Sequence, residues 1–247
     1  MSTLIRSSAA FLFIVLFGTF SYAQKNVNPD SCKSARNVSF SEGTLIPLDR
    51  SILVKTGYLS SIANTDAAVE LRIFGEENLP FAFLKQIRFY KDVLIIDTYQ
   101  IYKAPTNKST DHRKDNKEFR SLTFIGTQDG IDFYVKSLRR VSTDKKKLCK
   151  LQTKLLKSHI TDLPNGSVLD SLAKAKFPEI NCYDCGSQLV IELKVGSKLR
   201  NFNDMTYRYD QYKKAERTIT ELKYRRNIFD IITEIENTID REGTVKR

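Results

Sequence analysis

Apolar and polar positions alternate most sharply at residues 188–195, where Leu189, Ile191, Leu193 and Val195 interleave with Gln188, Val190, Glu192 and Lys194. A period of two is that of a strand with one buried face, and it sets Glu192 and Lys194 on the same side, roughly 7 Å apart. On the pattern alone, these two charges occupy the solvent face of a half-exposed strand. Upstream, from residue 45 to 141, short runs rich in Val, Ile, Phe and Tyr recur at 51–58, 68–74, 81–90, 93–102, 119–126 and 131–137. Gly-Glu-Glu-Asn, Lys-Asp and Gln-Asp-Gly breaks separate them, which predicts an antiparallel, meander-like sheet. The runs 121–125 and 131–135 pair as a hairpin across residues 126–130.

The period then changes. Leu148, Leu151 and Leu155 follow helical spacing, with Lys147, Lys150, Lys154 and Lys157 on another side, which predicts an amphipathic helix with a basic face. Ser167 is placed to cap a short helix in which Val168, Leu169, Leu172 and Ala173 point inward, ending before Pro178. Beyond Asp204, Tyr212, Ala215, Ile219, Leu222, Phe229, Ile232, Ile235 and Ile239 carry a helical pattern to about residue 240, weakest at Arg225-Arg226-Asn227. The fold class expected is therefore α+β: an N-terminal antiparallel β region over 45–141, then a helical half over 142–247 with one further strand at 188–195. The two regions are either separate or one continuous domain.

Residues 1–23 read as a targeting segment outside the fold. Arg6 precedes an apolar run from Ala9 to Phe20, and Ser21-Tyr22-Ala23 offers the small residues a signal peptidase reads before Gln24. The run is shorter than the ~20 residues of a comfortable membrane span. The expectation is export to a periplasmic or extracellular location, with no transmembrane span in the mature chain. Residues 24–44 read as a polar, extended lead-in.

Charge sharpens this picture. Arg6 is the only charged residue of the leader, so the remaining 224 residues hold 39 Lys and Arg against 29 Asp and Glu, a net charge of +10. Residues 136–157 hold nine bases (Lys136, Arg139, Arg140, Lys145, Lys146, Lys147, Lys150, Lys154, Lys157) against Asp144 alone. Such a face suits an anionic partner, whether a glycan, a lipid headgroup or a nucleic acid. The polar stretch 103–117, which contains His112, is a second candidate contact surface.

Four cysteines, Cys32, Cys149, Cys182 and Cys185, form an even set, and in an exported chain disulfides are the default, with three connectivities open. One form ties Cys32, or Cys149 in its helix, back to the 182–185 turn. A thiol-active Cys-x-x-Cys normally opens a helix, where the dipole lowers the thiol pKa, whereas here Gly-Ser and a strand follow. A zinc site would need a second closely spaced pair, or histidines better placed than His112 and His159.

The familiar phosphate-cradling, zinc-protease and nucleophile-elbow motifs are absent from the sequence. One constellation carries possible chemistry. Asp184 followed by Glu192-Leu193-Lys194 on an apolar strand resembles the Asp…(Asp/Glu)-x-Lys core of the restriction-endonuclease-like nuclease superfamily. The resemblance implies that Asp184 and Glu192 hold Mg²⁺ or Mn²⁺ at a scissile phosphate, with Lys194 helping to activate water. It covers about eleven residues, and the proline usual before the first acid is Tyr183 here. The leading expectation is thus a non-enzymatic binding protein with a basic surface and no cofactor. The alternatives are a metal-dependent nuclease using Asp184, Glu192 and Lys194, and a thiol-active protein using Cys182 and Cys185.

Overall fold

The computed structural model describes Cys32, Phe40, Asp49 and residues 51–75, 81–106, 120–180, 188–205 and 210–240. Among these, seven strands form one antiparallel sheet: β1 (Val69–Gly75), β2 (Phe81–Phe89), β3 (Leu94–Pro105), β4 (Thr123–Gln128), β5 (Ile131–Ser142), β6 (Gln188–Val195) and β7 (Lys198–Met205). Their spatial order is β4-β5-β3-β2-β1-β6-β7. The helices are α1 (Ile52–Lys55), α2 (Lys145–Leu156), α3 (Gly166–Lys176), α4 (Asp210–Thr218) and α5 (Thr220–Asp240), with a 3₁₀ turn at Ile62–Asn64. The protein is α+β, with helices partly interspersed among the strands. β6 pairs directly with β1, from Val69 opposite Val195 to Gly75 opposite Leu189, so strands from both halves of the chain share one sheet.

Both faces of the central strands are covered, but by unlike layers. Val69, Leu71, Ile73, Ile87, Phe89, Leu94, Ile96, Ile191, Leu193 and Val195 project to one side and merge with Leu148, Leu151, Leu155, Leu169, Ala173, Leu222, Ile232 and Ile235 of the helices. Each such side chain contributes about 1.5–3 kcal/mol on full burial. The alternate residues project to the other side, where Phe74, Leu84, Tyr99, Ile101, Val135 and Val190 pack on Ile52 and Leu53. This second layer is made by Asp49 and residues 51–66, a strap that crosses the sheet and contains α1 and the 3₁₀ turn.

Several local expectations are corrected. The apolar run 51–58 is not a strand: Ser51 accepts from the Leu53 N–H and opens α1, which buries Ile52 and Leu53. The C-terminal half contributes two strands, because the polar stretch Lys198–Met205 pairs along β6 as a sheet edge. Asp129 (φ 52°) and Gly130 (φ 73°) close a two-residue β4–β5 turn, and the bulge lies at Phe124/Gly126. Only Leu169 and Ala173 of the α3 quartet are buried; Val168 and Leu172 are exposed. The long C-terminal helix breaks at Ile219. There three successive β-branched residues crowd the backbone, and Thr218 Oγ1 donates back to the Lys214 carbonyl (2.7 Å). Arg225 and Arg226 are not a weak point; both reach back across the break to Glu216, at 3.4 and 3.7 Å.

Cys32 and Cys149 are bonded to each other, with Cα atoms 5.3 Å apart. Neither cysteine therefore ties to Cys182 or Cys185, and Cys182, Cys185 and Asp184 lie outside the described residues, as do residues 1–23 and most of 103–117. The bridge joins positions 117 residues apart, so it removes a large loop entropy from the unfolded chain. Cys149→Ser is expected to lower the unfolding free energy by about 3 kcal/mol, read from urea midpoints under non-reducing conditions. An unchanged midpoint would mean that the bridge contributes nothing to stability.

Candidate functional site

Glu192 and Lys194 do share a face, as their spacing requires, but that face is the strap side and not solvent. Glu70, Arg72, Glu192 and Lys194 are 0%, 2%, 1% and 8% exposed. The register of β1 against β6 sets Glu70 opposite Lys194 and Arg72 opposite Glu192, so Glu-x-Arg on one strand faces Glu-x-Lys on the next and every acid meets a base.

These charges hold the strap. The Asp49 N–H donates to Glu192 Oε1 (2.6 Å), and Asp49 Oδ1 accepts from the Ile62 N–H (3.0 Å). Asp49 sits at φ 59°, a left-handed conformation that Asp tolerates better than most residues. Arg72 Nη1 lies 3.4 Å from Asp49 Oδ1, and Arg72 Nη2 donates to the Ser60 carbonyl (2.9 Å). Lys194 Nζ donates to the carbonyls of Ala63 (3.0 Å) and Thr65. Glu70 Oε1 accepts from Arg72 Nε (2.6 Å) and Gln86 Nε2 (2.7 Å).

The layer continues across the sheet to β5. Asp97 accepts from Arg139 Nε (2.7 Å) and Nη2 (2.9 Å) and from Arg88 Nη2. The Arg139 guanidinium is held above its ordinary pKa, chiefly by this hydrogen bonding to Asp97. Tyr99 Oη donates to Gln86 Oε1 (3.4 Å), and burial, then the Asp97 charge, pushes its phenol far above the ordinary tyrosine range. Four acids (Asp49, Glu70, Asp97, Glu192) are thus set among four bases (Arg72, Arg88, Arg139, Lys194), and these eight charges balance. Glu192 and Lys194 are committed to backbone groups of the strap, and a phosphodiester could reach them only with the strap lifted. Sequence reasoning missed Asp49, Glu70, Arg72 and Asp97, although Glu70-x-Arg72 repeats the acid-x-base pattern of β6 and was the available clue.

The second candidate is open to solvent. In α2, Leu148, Leu151, Leu155 and Leu156 are buried, while Lys147, Lys150, Lys154 and Lys157 are all exposed. Asp144 caps the helix, accepting from the Lys147 N–H (3.2 Å), and that hydrogen bond is the main reason its carboxyl lies below the usual range. Lys147 Nζ lies 3.5 Å from Asp144 Oδ2, and Lys154 pairs with Glu234 of α5. A shallow cavity of about 220 Å³ between α2 and α5 is lined by Lys147, Lys150, Leu151, Glu234 and Thr238. His159 follows the helix, its ring stacked on Tyr224 at 3.9 Å with Nδ1 3.2 Å from Asp162. Among the described residues no three His, Cys, Asp or Glu side chains converge as a metal-binding group. No described helix is long and apolar enough to cross a membrane.

The sequence matches no known protein family, and comparison with curated proteins and with solved structures likewise finds no match.

Two outcomes follow from the buried layer. Arg72→Met leaves Glu70 without its cation and is expected to cost about 3–5 kcal/mol, whereas Glu70→Gln/Arg72→Met recovers much of that in a double-mutant cycle. Additive losses in urea unfolding would mean the two charges are not coupled. The raised Tyr99 pKa means that the folded state favours the neutral phenol, so its contribution is complete below the unfolded value of 10.0 and fades as pH rises above it. Thermal unfolding followed from pH 8.5 to 11 should show a smaller alkaline loss for Tyr99→Phe than for the unaltered protein, and identical slopes would refute this.

Proposed function

We propose that this is an exported, non-enzymatic binding protein of the cell envelope or exterior, which holds an anionic partner on the basic face of α2. The observation that carries the reading is a contrast in exposure. The acid-x-base residues that resemble a nuclease core are consumed under the strap, while the lysines of α2 stand in solvent on a helix whose opposite side is locked into the core. The basic run 136–157 also divides by structure. Arg139 and Arg140 belong to β5 and pair inward with Asp97 and Glu236, which leaves α2 as the outward-facing basic element. Exposed charges of one sign act over about a Debye length, ~10 Å at 0.1 M salt, and so draw an oppositely charged partner without a deep pocket.

The mature protein is therefore expected to be retained on a phosphorylated or sulfonated column and to elute early as salt rises. Changing Lys147, Lys150, Lys154 and Lys157 together to Glu should abolish that retention while leaving the circular dichroism spectrum intact. Unchanged elution of a folded quadruple variant would end this reading.

A further inference from the structure

The sheet does not close on itself, so it has two edge strands, β4 and β7. Half of the N–H and C=O groups of such a strand point outward as a template for another strand, and proteins guard their edges with charges, proline or bulges. β7 is guarded in this way, since it carries Lys198, Arg200 and Asp204. β4 is Thr123-Phe124-Ile125-Gly126-Thr127-Gln128, and it alone among the seven described strands holds no charged residue. It holds no proline either. Thr123, Phe124, Thr127 and Gln128 are exposed, and among the described residues the strand pairs only with β5.

The bulge at Phe124/Gly126 answers to the strap and not to the edge. Gly126 stands at φ 143°, and a Cβ there would come within 3.1 Å of Thr56 Cγ2, so the bulge and its glycine let β4 approach the strap. The open edge also adjoins apolar surface. Phe83 of β2, Leu138 of β5 and Phe124 are 38%, 41% and 44% exposed, three of the six large apolar side chains left in solvent among the described residues. By strand alternation all three project to the helical side of the sheet. Apolar surface gathered beside an open edge marks a place of protein contact.

Charge selects the partner. The chain has a net charge of +11, so a second copy is repelled over most of its surface, and a strand paired with its own copy sets like charges near one another wherever it carries any. β4 has none to oppose. A two-fold axis normal to the sheet reverses the strand while keeping each face on its own side, so Phe124 of both copies falls on the same side of the joined sheet. Such a contact uses the unguarded edge of each copy and leaves β7 outermost, so association stops at two. We propose that β4 is a self-association edge, which pairs antiparallel with β4 of a second copy of this chain to form a closed two-fold dimer. The pairing is independent of the anionic partner of α2.

The test is sedimentation equilibrium of the mature chain, disulfide intact, beside Thr123→Lys/Thr127→Lys and Thr123→Glu/Thr127→Glu, each checked for an unaltered circular dichroism spectrum and urea midpoint. The unaltered protein should reach twice the chain mass as concentration rises, and each variant alone should keep the mass of one chain, because like charges then meet across the ladder. An equimolar mixture of the two variants should regain the doubled mass. A monomer at every concentration would overturn the pairing and leave the edge to a strand from another protein. Dimers that survive in both variants would place the contact elsewhere and overturn it, as would two folded variants that fail to recombine.

Discussion

Ionised side chains cannot be taken out of water cheaply, and the sheet of this protein takes several out at once. The uncompensated cost is several kcal/mol for each ion, so every charge on the strap side of β1, β2, β3 and β6 needs a partner built into the fold. The partners come from two sources: opposite charges on neighbouring strands, and backbone groups of a strap more than 100 residues away in sequence from β6. Arg72 and Lys194 together occupy the carbonyls of Ser60, Ala63 and Thr65, while Glu192 takes the Asp49 N–H. The strap in turn excludes the water that would otherwise solvate them. Floor and strap are mutually necessary, and neither is stable in this form alone.

The same constraint fixes the register. Sliding β6 by one residue past β1 would drive Glu192 and Lys194 into the layer of Leu151, Leu155 and Ile232 and would turn Ile191 and Leu193 toward the ions. A dry face and an ionic face back to back leave only one acceptable pairing. Ionic contacts on the helical side stay at its rim, where Glu236 of α5 meets Lys85 (2.6 Å) and Arg140 (3.4 Å). One exception is deeper. Arg200 crosses that side to the Ile160 carbonyl (3.3 Å) and the Leu163 carbonyl, and burial holds its pKa below the ordinary guanidinium value.

Much of the sheet was legible because its strands carry β-branched and aromatic residues at period two, and α2 was legible from its leucine spacing. The misreadings have physical causes. Residues 51–58 are apolar enough for a strand, but their burial is set by a tertiary surface, and Ser51 supplies a cap that propensity alone underweights. Lys198–Met205 is too polar to read as a strand, yet an edge position beside β6 meets its backbone hydrogen bonds without demanding apolar side chains on both faces. Glu192 and Lys194 alternate as a solvent face would, because alternation reports which side is apolar and not what covers the other side. The α2 face was visible as a set of lysines, but the pairing of Lys154 with Glu234, 80 positions away, exists only in the folded chain.

The two concentrations of charge therefore differ in kind. Beneath the strap, each buried charge has a partner on the sheet or strap, which accounts for it as architecture, although Glu70 Oε2 and Arg88 Nε make no hydrogen bond. On α2 the charges stay in solvent instead, and the cations of its first turn are met locally, Lys145 by Asp92 and Lys147 by the Asp144 that caps the helix. The basic face of α2 is thus presented to solvent by a helix whose leucines are seated in the core shared by the sheet and α5.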